Sequence, residues 1–136
     1  MPEVLIRFGL SEALKSYCDH LAQSKIYTID FQSINLTDRL QKNTEIFVYR
    51  IVQELLNNIS KHAQATQVLV QLARQANELN ITVEDNGIGM TSEEVNLSTG
   101  AGWINIRSRV EYLKGELDIQ SSPGRGTSVH IIIPLS

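Results

Sequence analysis

The sequence predicts an α+β fold of two layers, in which a mixed, mostly antiparallel sheet carries its helices on one face. Two pairs of alternating apolar segments, each joined by a short polar turn, have the pattern of β-hairpins. Three other segments place apolar residues at helical spacing. Because hairpins account for most of the predicted strands, the helices are expected to collect on one face of the sheet.

The first half of the chain is predicted to run helix, strand, helix. Residues 11–23 have helical apolar spacing behind Ser11, which is a suitable N-cap. The β-branched and aromatic residues of 26–31 predict a strand, and the polar stretch 32–43 predicts a loop. The longest periodic segment, 45–62, predicts a helix with one apolar stripe.

The second half is predicted to consist of a hairpin, a loop, a helix and a second hairpin. Apolar residues alternate over 68–83 on both sides of a polar turn, whereas 91–101 is polar and predicts a loop. Apolar spacing over 106–113 predicts a helix that ends at Gly115. The remaining stretch, 117–134, turns at SPGRG and completes the second hairpin.

Length, charge and cysteine content limit the class of protein. The chain has 136 residues and is expected to form a single domain, 1–136, with its own core. A net charge of −3 argues against a nucleic-acid binder, so an anionic ligand would need local cations and backbone N–H groups. The single cysteine, Cys18, excludes an internal disulfide and favours the cytoplasm. No signal peptide or membrane-spanning run is recognisable, so no direct membrane contact is expected.

The segment ELLNNISKH (54–62) places three polar side chains on one helical face. Glu54, Asn58 and Lys61 are spaced i, i+4 and i+7, opposite the apolar stripe. A solvated helix face has the same appearance and remains an alternative at this point. A carboxylate, an amide oxygen and an ammonium group on one face would also suit Mg²⁺ and a phosphate, because Mg²⁺ usually takes only one or two protein ligands.

The segment VEDNGIGM (83–90) contains two glycines that are one residue apart. Such a pair indicates a backbone that passes close to another group. A tight hairpin turn is the alternative, but the residues that follow do not alternate. A calcium loop is excluded because Thr82 would occupy its first ligand position inside a strand.

Two further glycine motifs follow. Gly100 and Gly102 open a helix, whose N-terminal N–H groups could bind an anion; a flexible loop with a glycine cap is the alternative. Gly124, Gly126 and Thr127 form a hairpin turn, which does not exclude a ligand contact by Thr127. Neither a Walker motif nor G-x-G-x-x-G occurs, so a nucleotide would be bound in another way.

The order of these motifs resembles the ATP-binding domain shared by sensor histidine kinases, gyrase-type topoisomerases, MutL-type repair proteins and Hsp90 chaperones. RIVQELLNNISKHAQA is similar to the N box of nitrate-sensor and DesK-type kinases, VEDNGIGM to the first glycine box, and the stretch from Gly100 to Pro134 to the second. The resemblance covers about 44–134 and implies a Bergerat-type fold. GLSEAL (9–14) is similar to the exit from the dimerisation helices, so residues 1–10 are expected to be a linker remnant.

The resemblance also implies roles for individual residues. Asp85 would accept the adenine amino group, Gly87 and Gly89 would let the base lie against the backbone, and Thr127 would lie beside it. Asn58 would bind Mg²⁺, and Glu54 would orient the metal's water or the attacking group. Contacts to the phosphates are implied for two glycines of the lid and two basic residues of the N box: Gly100, Gly102, Lys61 and His62.

The sequence departs from the family pattern at two positions, Ala101 and Trp103, and it lacks the family's acceptor histidine. The family usually has a larger or polar residue at Ala101 and often leucine at Trp103, and Trp103 is expected to fill an apolar pocket. The family's acceptor histidine is followed by an acid, but His20 is followed by Leu21 and lies in a helix that is too short for a dimerisation stem. The chain is therefore expected to bind ATP and Mg²⁺ without phosphorylating itself.

The resemblance implies the catalytic domain of a two-component sensor histidine kinase. The γ-phosphate of ATP would be transferred to a histidine on dimerisation helices outside this chain and then, indirectly, to a response regulator. The short lid between the glycine boxes favours this class over gyrase, MutL and Hsp90 relatives. An anti-sigma-factor type serine kinase and a non-catalytic nucleotide-sensing module are the alternatives. The domain is expected in the cytoplasm, although the parent protein could be anchored in the inner membrane.

Overall fold

The computed structural model describes residues 2–24, 27–96 and 100–135, over which helices and strands alternate. The helices are α1 (Glu3–Phe8), α2 (Leu10–Ser24), α3 (Lys42–Asn58), which continues as a π-helical turn (Ile59–Ala63), α4 (Ser92–Asn96) and α5 (Ala101–Tyr112). The strands are β1 (Thr28–Ile34), β2 (Gln67–Gln75), β3 (Glu78–Asp85), β4 (Glu116–Ser121) and β5 (Thr127–Pro134).

The strands form one mixed sheet in the order β1-β2-β3-β5-β4. Strand β1 pairs parallel to β2, which requires the crossover through α3, whereas the other neighbours pair antiparallel. The predicted mixed, mostly antiparallel sheet is confirmed. In this register Asp85 pairs with Val68 on one side and Thr127 on the other, which brings the end of β3 between two neighbouring strands.

One face of the sheet is buried beneath the helices. Alternate residues of the three central strands are less than 5% exposed, as the period of two requires: Val68, Val70, Leu72, Leu79, Ile81, Val83, Val129, Ile131 and Ile133. The apolar stripe of α3 is buried with them: Val48, Ile51, Val52, Leu55 and Leu56. Each such side chain contributes roughly 1.5–3 kcal/mol relative to an exposed one. The two-layer α+β prediction is confirmed.

The start of α2 and the end of β1 depart from the sequence prediction, and α3 begins at Lys42, inside the predicted loop. Helix α2 begins at Leu10 directly after α1, so Ser11 lies inside the helix and the N-cap prediction was wrong. Strand β1 extends to Ile34, because residues 32–34 of the predicted loop pair with β2. Ile26, in the predicted strand, lies outside the described residues.

Helix α1 was not predicted, and it is held by hydrogen bonds from Arg39, which also forms an ion pair with Glu45. The Arg39 guanidinium donates to the carboxylate of Glu45 at 2.8 Å and to the carbonyl oxygens of Leu5 and Ile6 at 3.3 Å. Glu45 is only 4% exposed. Because the same guanidinium binds α1 and the first turn of α3, it fixes the N-terminal helix against the domain.

Helix α4 lies within the segment that was predicted as a loop. Thr91 and Glu94 form a reciprocal capping box, in which each side-chain oxygen accepts the other residue's backbone N–H, at 2.8 and 3.1 Å. Residues 97–99, also in the predicted loop, lie outside the described residues.

Within the described ranges, none of the helices has both the length and the hydropathy that crossing a bilayer requires.

Candidate functional site

A pocket of about 360 Å³ opens between the C-terminal half of α3 and the ends of β3 and β5. Its wall is mainly apolar: Leu55, Ile59, Val83, Ile88, Met90 and Val129. Of the predicted site residues, five line it: Asn58, His62, Asp85, Gly89 and Thr127. A concave, mostly apolar site with a few convergent polar groups is typical of a small-molecule pocket.

Asp85 is the acidic group in the inner part of this pocket. Its carboxylate accepts the backbone N–H of Gly87 at 2.8 Å and is also hydrogen-bonded by the backbone of Thr127. Burial raises the pKa of Asp85 above its usual value, and the two backbone hydrogen bonds only partly oppose this effect. A ligand N–H group that reached the carboxylate would offset this desolvation, so the site favours a ligand with a hydrogen-bond donor.

The two glycines after Asp85 are required by contacts with the chain's own backbone. A Cβ at Gly87 would lie 2.0 Å from the carbonyl oxygen of Ala63, and one at Gly89 would lie 2.0 Å from that of Ser122. Gly89 also has a positive φ of 71°. The turn is therefore clamped between the π-helical turn and the β4–β5 hairpin. Gly89 lines the pocket, whereas the close contact at Gly87 is with Ala63.

Asn86 closes the other side of this turn. Its Oδ1 accepts the backbone N–H groups of Thr66 and Gln67, and its Nδ2 donates to the Thr66 hydroxyl at 2.9 Å. Asn86 therefore holds the start of β2 against the end of β3 and keeps Asp85 in register. From the sequence, Asn86 was predicted only as part of a turn.

The π-helical turn at the end of α3 sets the positions of the two basic residues. His62 lines the pocket, whereas Lys61 is exposed and is not among the lining residues. The turn ends at Gln64, which has a positive φ of 53°. Because the extra residue of a π turn shifts the following backbone, it brings Ala63 to the Gly87 contact.

Asn58 lies at the boundary between α3 and the first turn of α5. Its Nδ2 is shielded from solvent and has no hydrogen-bond partner. A Cβ at Gly102 would lie 2.9 Å from Asn58 Oδ1 and 3.2 Å from Glu54 Oε2, so a larger residue here would displace the ends of these two side chains. Gly100 is the exposed N-cap of α5 and has open space around it.

Thr127 is oriented by a serine that the sequence analysis did not identify. Ser121 Oγ accepts the Met90 N–H at 2.7 Å, donates to the Gly126 carbonyl at 2.8 Å and lies 2.8 Å from Thr127 Oγ1. Since its proton is already directed to Gly126, Thr127 is the donor to Ser121. The Thr127 oxygen can therefore accept a hydrogen bond from a ligand.

Trp103 lies on the pocket wall, at the start of α5. Its side chain is partly buried and packs against the hydrophobic core, and the pocket whose wall it forms is the one that contains Asp85. The expectation that it fills an apolar pocket stays a prediction. Of Ala101 only the backbone is described, as the first residue of α5.

A second, polar cleft of about 320 Å³ lies beside Glu54. It is lined by residues of α2, α3 and α5: Tyr17, Arg50, Gln53, Glu54, Asn57 and Arg109. The structure therefore brings Glu54 and Asn58 together on α3 but points them toward different cavities. Arg50 and Arg109 carry no distinctive signal in the sequence, because arginines on amphipathic helices usually lie in solvent.

Comparisons with known proteins agree on one family. Residues 43–136 match the family model described as histidine kinase-, DNA gyrase B-, and HSP90-like ATPase. The histidine-protein kinase/phosphatase DegS of Brevibacillus brevis is 34% identical over 94% of the chain, and the sensor histidine kinase ComP of Bacillus subtilis is 33% identical over 98%. The chain spans 33% and 18% of the lengths of these two proteins.

A solved structure has the same architecture. The blue-light activated histidine kinase of Erythrobacter litoralis matches with a TM-score of 0.77 at 29% identity, over 93% of this chain and 42% of that one. Its separate histidine kinase domain matches with a TM-score of 0.71 at 27% identity, over 92% of this chain and 63% of that one.

Proposed function

The chain belongs to the family of histidine kinase-, DNA gyrase B- and HSP90-like ATPases, and we propose that Asp85 recognises the adenine of ATP in its pocket. The observation that carries this proposal is the half-buried carboxylate, which is held by two backbone N–H groups inside an apolar wall. The adenine amino group would donate to Asp85, and the base would lie between the apolar residues. Guanine has a carbonyl oxygen at that position, which would face the carboxylate and be rejected.

We propose that Asn58 binds Mg²⁺ together with the phosphates. The residues present fit this ion, since Asn58 lines the pocket and its amide nitrogen has no hydrogen-bond partner, so a rotation of the amide could direct its oxygen to a metal. No cluster of three or more His, Cys, Asp or Glu side chains that could hold a metal occurs in the described ranges. Mg²⁺ tolerates such a sparse protein shell because water and phosphate oxygens complete its coordination. When bound, the ion would neutralise phosphate charge.

We propose that the domain transfers the γ-phosphate of ATP to a histidine. The relatives are sensor histidine kinases several times longer than this chain, so the acceptor would lie on dimerisation helices of the longer protein. Glu54 lies next to Asn58 and would orient the attacking imidazole; the first turn of α5, with Gly100 and Gly102, would cover the phosphates. Phosphoryl transfer depends mainly on positioning and on charge neutralisation. A response regulator would receive the phosphoryl group afterwards, and the reaction would take place in the cytoplasm.

A labelling experiment tests the transfer. The chain is incubated with ATP labelled at the γ-phosphate and with the dimerisation domain of its parent kinase. An acid-labile, base-stable label on that domain is expected, as for phosphohistidine. An acid-stable label on serine would instead favour the anti-sigma-factor type of kinase. The chain alone is expected to remain unlabelled.

A further inference from the structure

We propose that Arg109, on the wall of the polar cleft, binds the terminal phosphate of the nucleotide, with Arg50 as a second cation. This inference rests on the proposed ATP function and gives a role to two arginines of the N-box and second glycine-box segments that had no role in the sequence analysis. Three features of the described residues support it: the charge of the pocket, the position of the cleft and an unpartnered guanidinium nitrogen.

The nucleotide pocket lacks the charge that a triphosphate requires. Of the described residues that line it, Asp85 and Glu94 are acidic, and His62 is the only one with a basic side chain. The chain as a whole carries a net charge of −3. Even with the proposed Mg²⁺ bound, a triphosphate keeps negative charge, so further cations beyond the apolar part of the pocket would strengthen its binding.

The polar cleft supplies cations at the correct end of the pocket. Glu54 lines the cleft, Asn58 lines the nucleotide pocket, and Gly102 lies against both side chains. Arg109 follows Gly102 by seven residues, or about 10 Å along the helix axis. Seven residues are close to two helical turns, so Arg109 is on the same face of α5 as Gly102, and side chains on a helix lean toward its N-terminus, which here is the end at Gly102.

Arg109 also has an unsatisfied donor. Its Nη1 is shielded from solvent and has no hydrogen-bond partner. Buried guanidinium donors are normally satisfied, and a phosphate oxygen is the acceptor that suits them best. The opposite wall of the cleft carries Arg50, which is exposed and one helical turn before Glu54. The two guanidiniums would balance the Glu54 carboxylate as a phosphate enters.

The test is calorimetric titration of the whole chain with ATP, ADP and AMP, using Arg109→Gln, Arg109→Lys and the control Arg74→Gln. Arg74 loses the same charge but lies on β2, six residues from the Val68 that pairs with Asp85. We expect Arg109→Gln to weaken ATP binding about 10-fold or more and AMP binding less than 2-fold, because a charge-assisted hydrogen bond is lost only where the terminal phosphate binds. Arg109→Lys should recover part of the loss.

Equal losses for ATP and AMP, or no loss for either, would overturn the proposal. If Arg109→Gln does not fold, as its melting temperature would reveal, the exposed Arg50→Gln decides: it should lower the ATP-to-AMP affinity ratio, and an unchanged ratio overturns the proposal. Wild-type chain that binds neither ATP nor AMP would instead contradict the proposed function itself, so the two failures are distinguishable.

Discussion

A Cβ atom at Gly102 would lie 2.9 Å from Asn58 Oδ1, so the first turn of α5 rests directly on the side chain proposed to bind Mg²⁺. Gly102→Ala should therefore displace Asn58 and weaken ATP binding, by about 10-fold if one interaction of roughly 1.4 kcal/mol is lost. Its melting temperature should not fall much, because alanine favours a helix over glycine by about 1 kcal/mol. Ser108→Ala, at an exposed position of the same helix, is the control. Equal ATP affinity in the two variants would contradict the role of this contact.

Asp85→Asn should lower ATP affinity at least 10-fold. The carboxylate, which only accepts hydrogen bonds, becomes a carboxamide whose NH₂ group could face the adenine amino group. Glu84→Gln provides the matched control on an exposed neighbouring carboxylate, which accepts the Ser128 hydroxyl at 2.9 Å. Calorimetry with ATP measures both. Unchanged affinity in Asp85→Asn would exclude Asp85 from the adenine site.

The raised pKa of Asp85 also predicts how stability depends on pH. Because the carboxyl binds its proton more readily in the folded state, its ionisation opposes folding above the folded-state pKa. That cost is relieved as the pH falls through the folded-state pKa toward the unfolded value of 3.8. In nucleotide-free solution Asp85→Asn should therefore melt at a higher temperature than wild type at neutral pH, and the difference should shrink in acid. A difference that grew in acid would contradict the direction of the shift.

Gly89→Ala and Gly124→Ala compare two glycines with a left-handed backbone, of which only Gly89 has a neighbouring atom where a Cβ would lie. Both glycines have positive φ values, 71° and 77°, but a Cβ at Gly89 would lie 2.0 Å from the Ser122 carbonyl, whereas Gly124 has open space. Gly124→Ala should cost about 1–2 kcal/mol, from the left-handed backbone alone. Gly89→Ala should cost several kcal/mol more or prevent folding, since backbone would have to move. Urea unfolding measures the difference, and similar costs would show that the turn relaxes easily.

Much of this arrangement was predictable from the sequence because it depends on local pattern. The hairpins follow from alternation, α3 from its apolar stripe, and the turn at Gly87 and Gly89 from a glycine pair that has no purpose in an ordinary hairpin. Asp85 and Asn58 were predicted from the motif order, and both line the same pocket.

The remaining features depend on contacts between residues that are distant in sequence. The Arg39–Glu45 pair holds α1 through the carbonyls of Leu5 and Ile6, more than thirty residues before Arg39, so a six-residue helix gained support that its own sequence does not display. Arg109 meets Glu54 in one cleft only because α5 packs on α3. The capping box of Thr91 and Glu94, in contrast, was a visible local signal of α4 that the sequence analysis did not use.

Asn58→Ala tests the proposed metal contact. We expect ATP affinity to fall about 10-fold with Mg²⁺ present, and little or not at all with EDTA. The reason is that Asn58 would hold the phosphates only through the metal, which loses a ligand in the variant. Asn105→Ala, at an exposed position of α5, is the control. Equal losses with Mg²⁺ and with EDTA would remove Asn58 from the metal site.

The most direct test of the adenine pocket is calorimetric titration of the wild-type chain with ATP and with GTP, each in Mg²⁺ and in EDTA. The geometry at Asp85 predicts binding of ATP, strengthened by Mg²⁺, and binding of GTP that is at least 10-fold weaker. Equal affinity for the two nucleotides, or no binding of ATP at millimolar concentration, would contradict it.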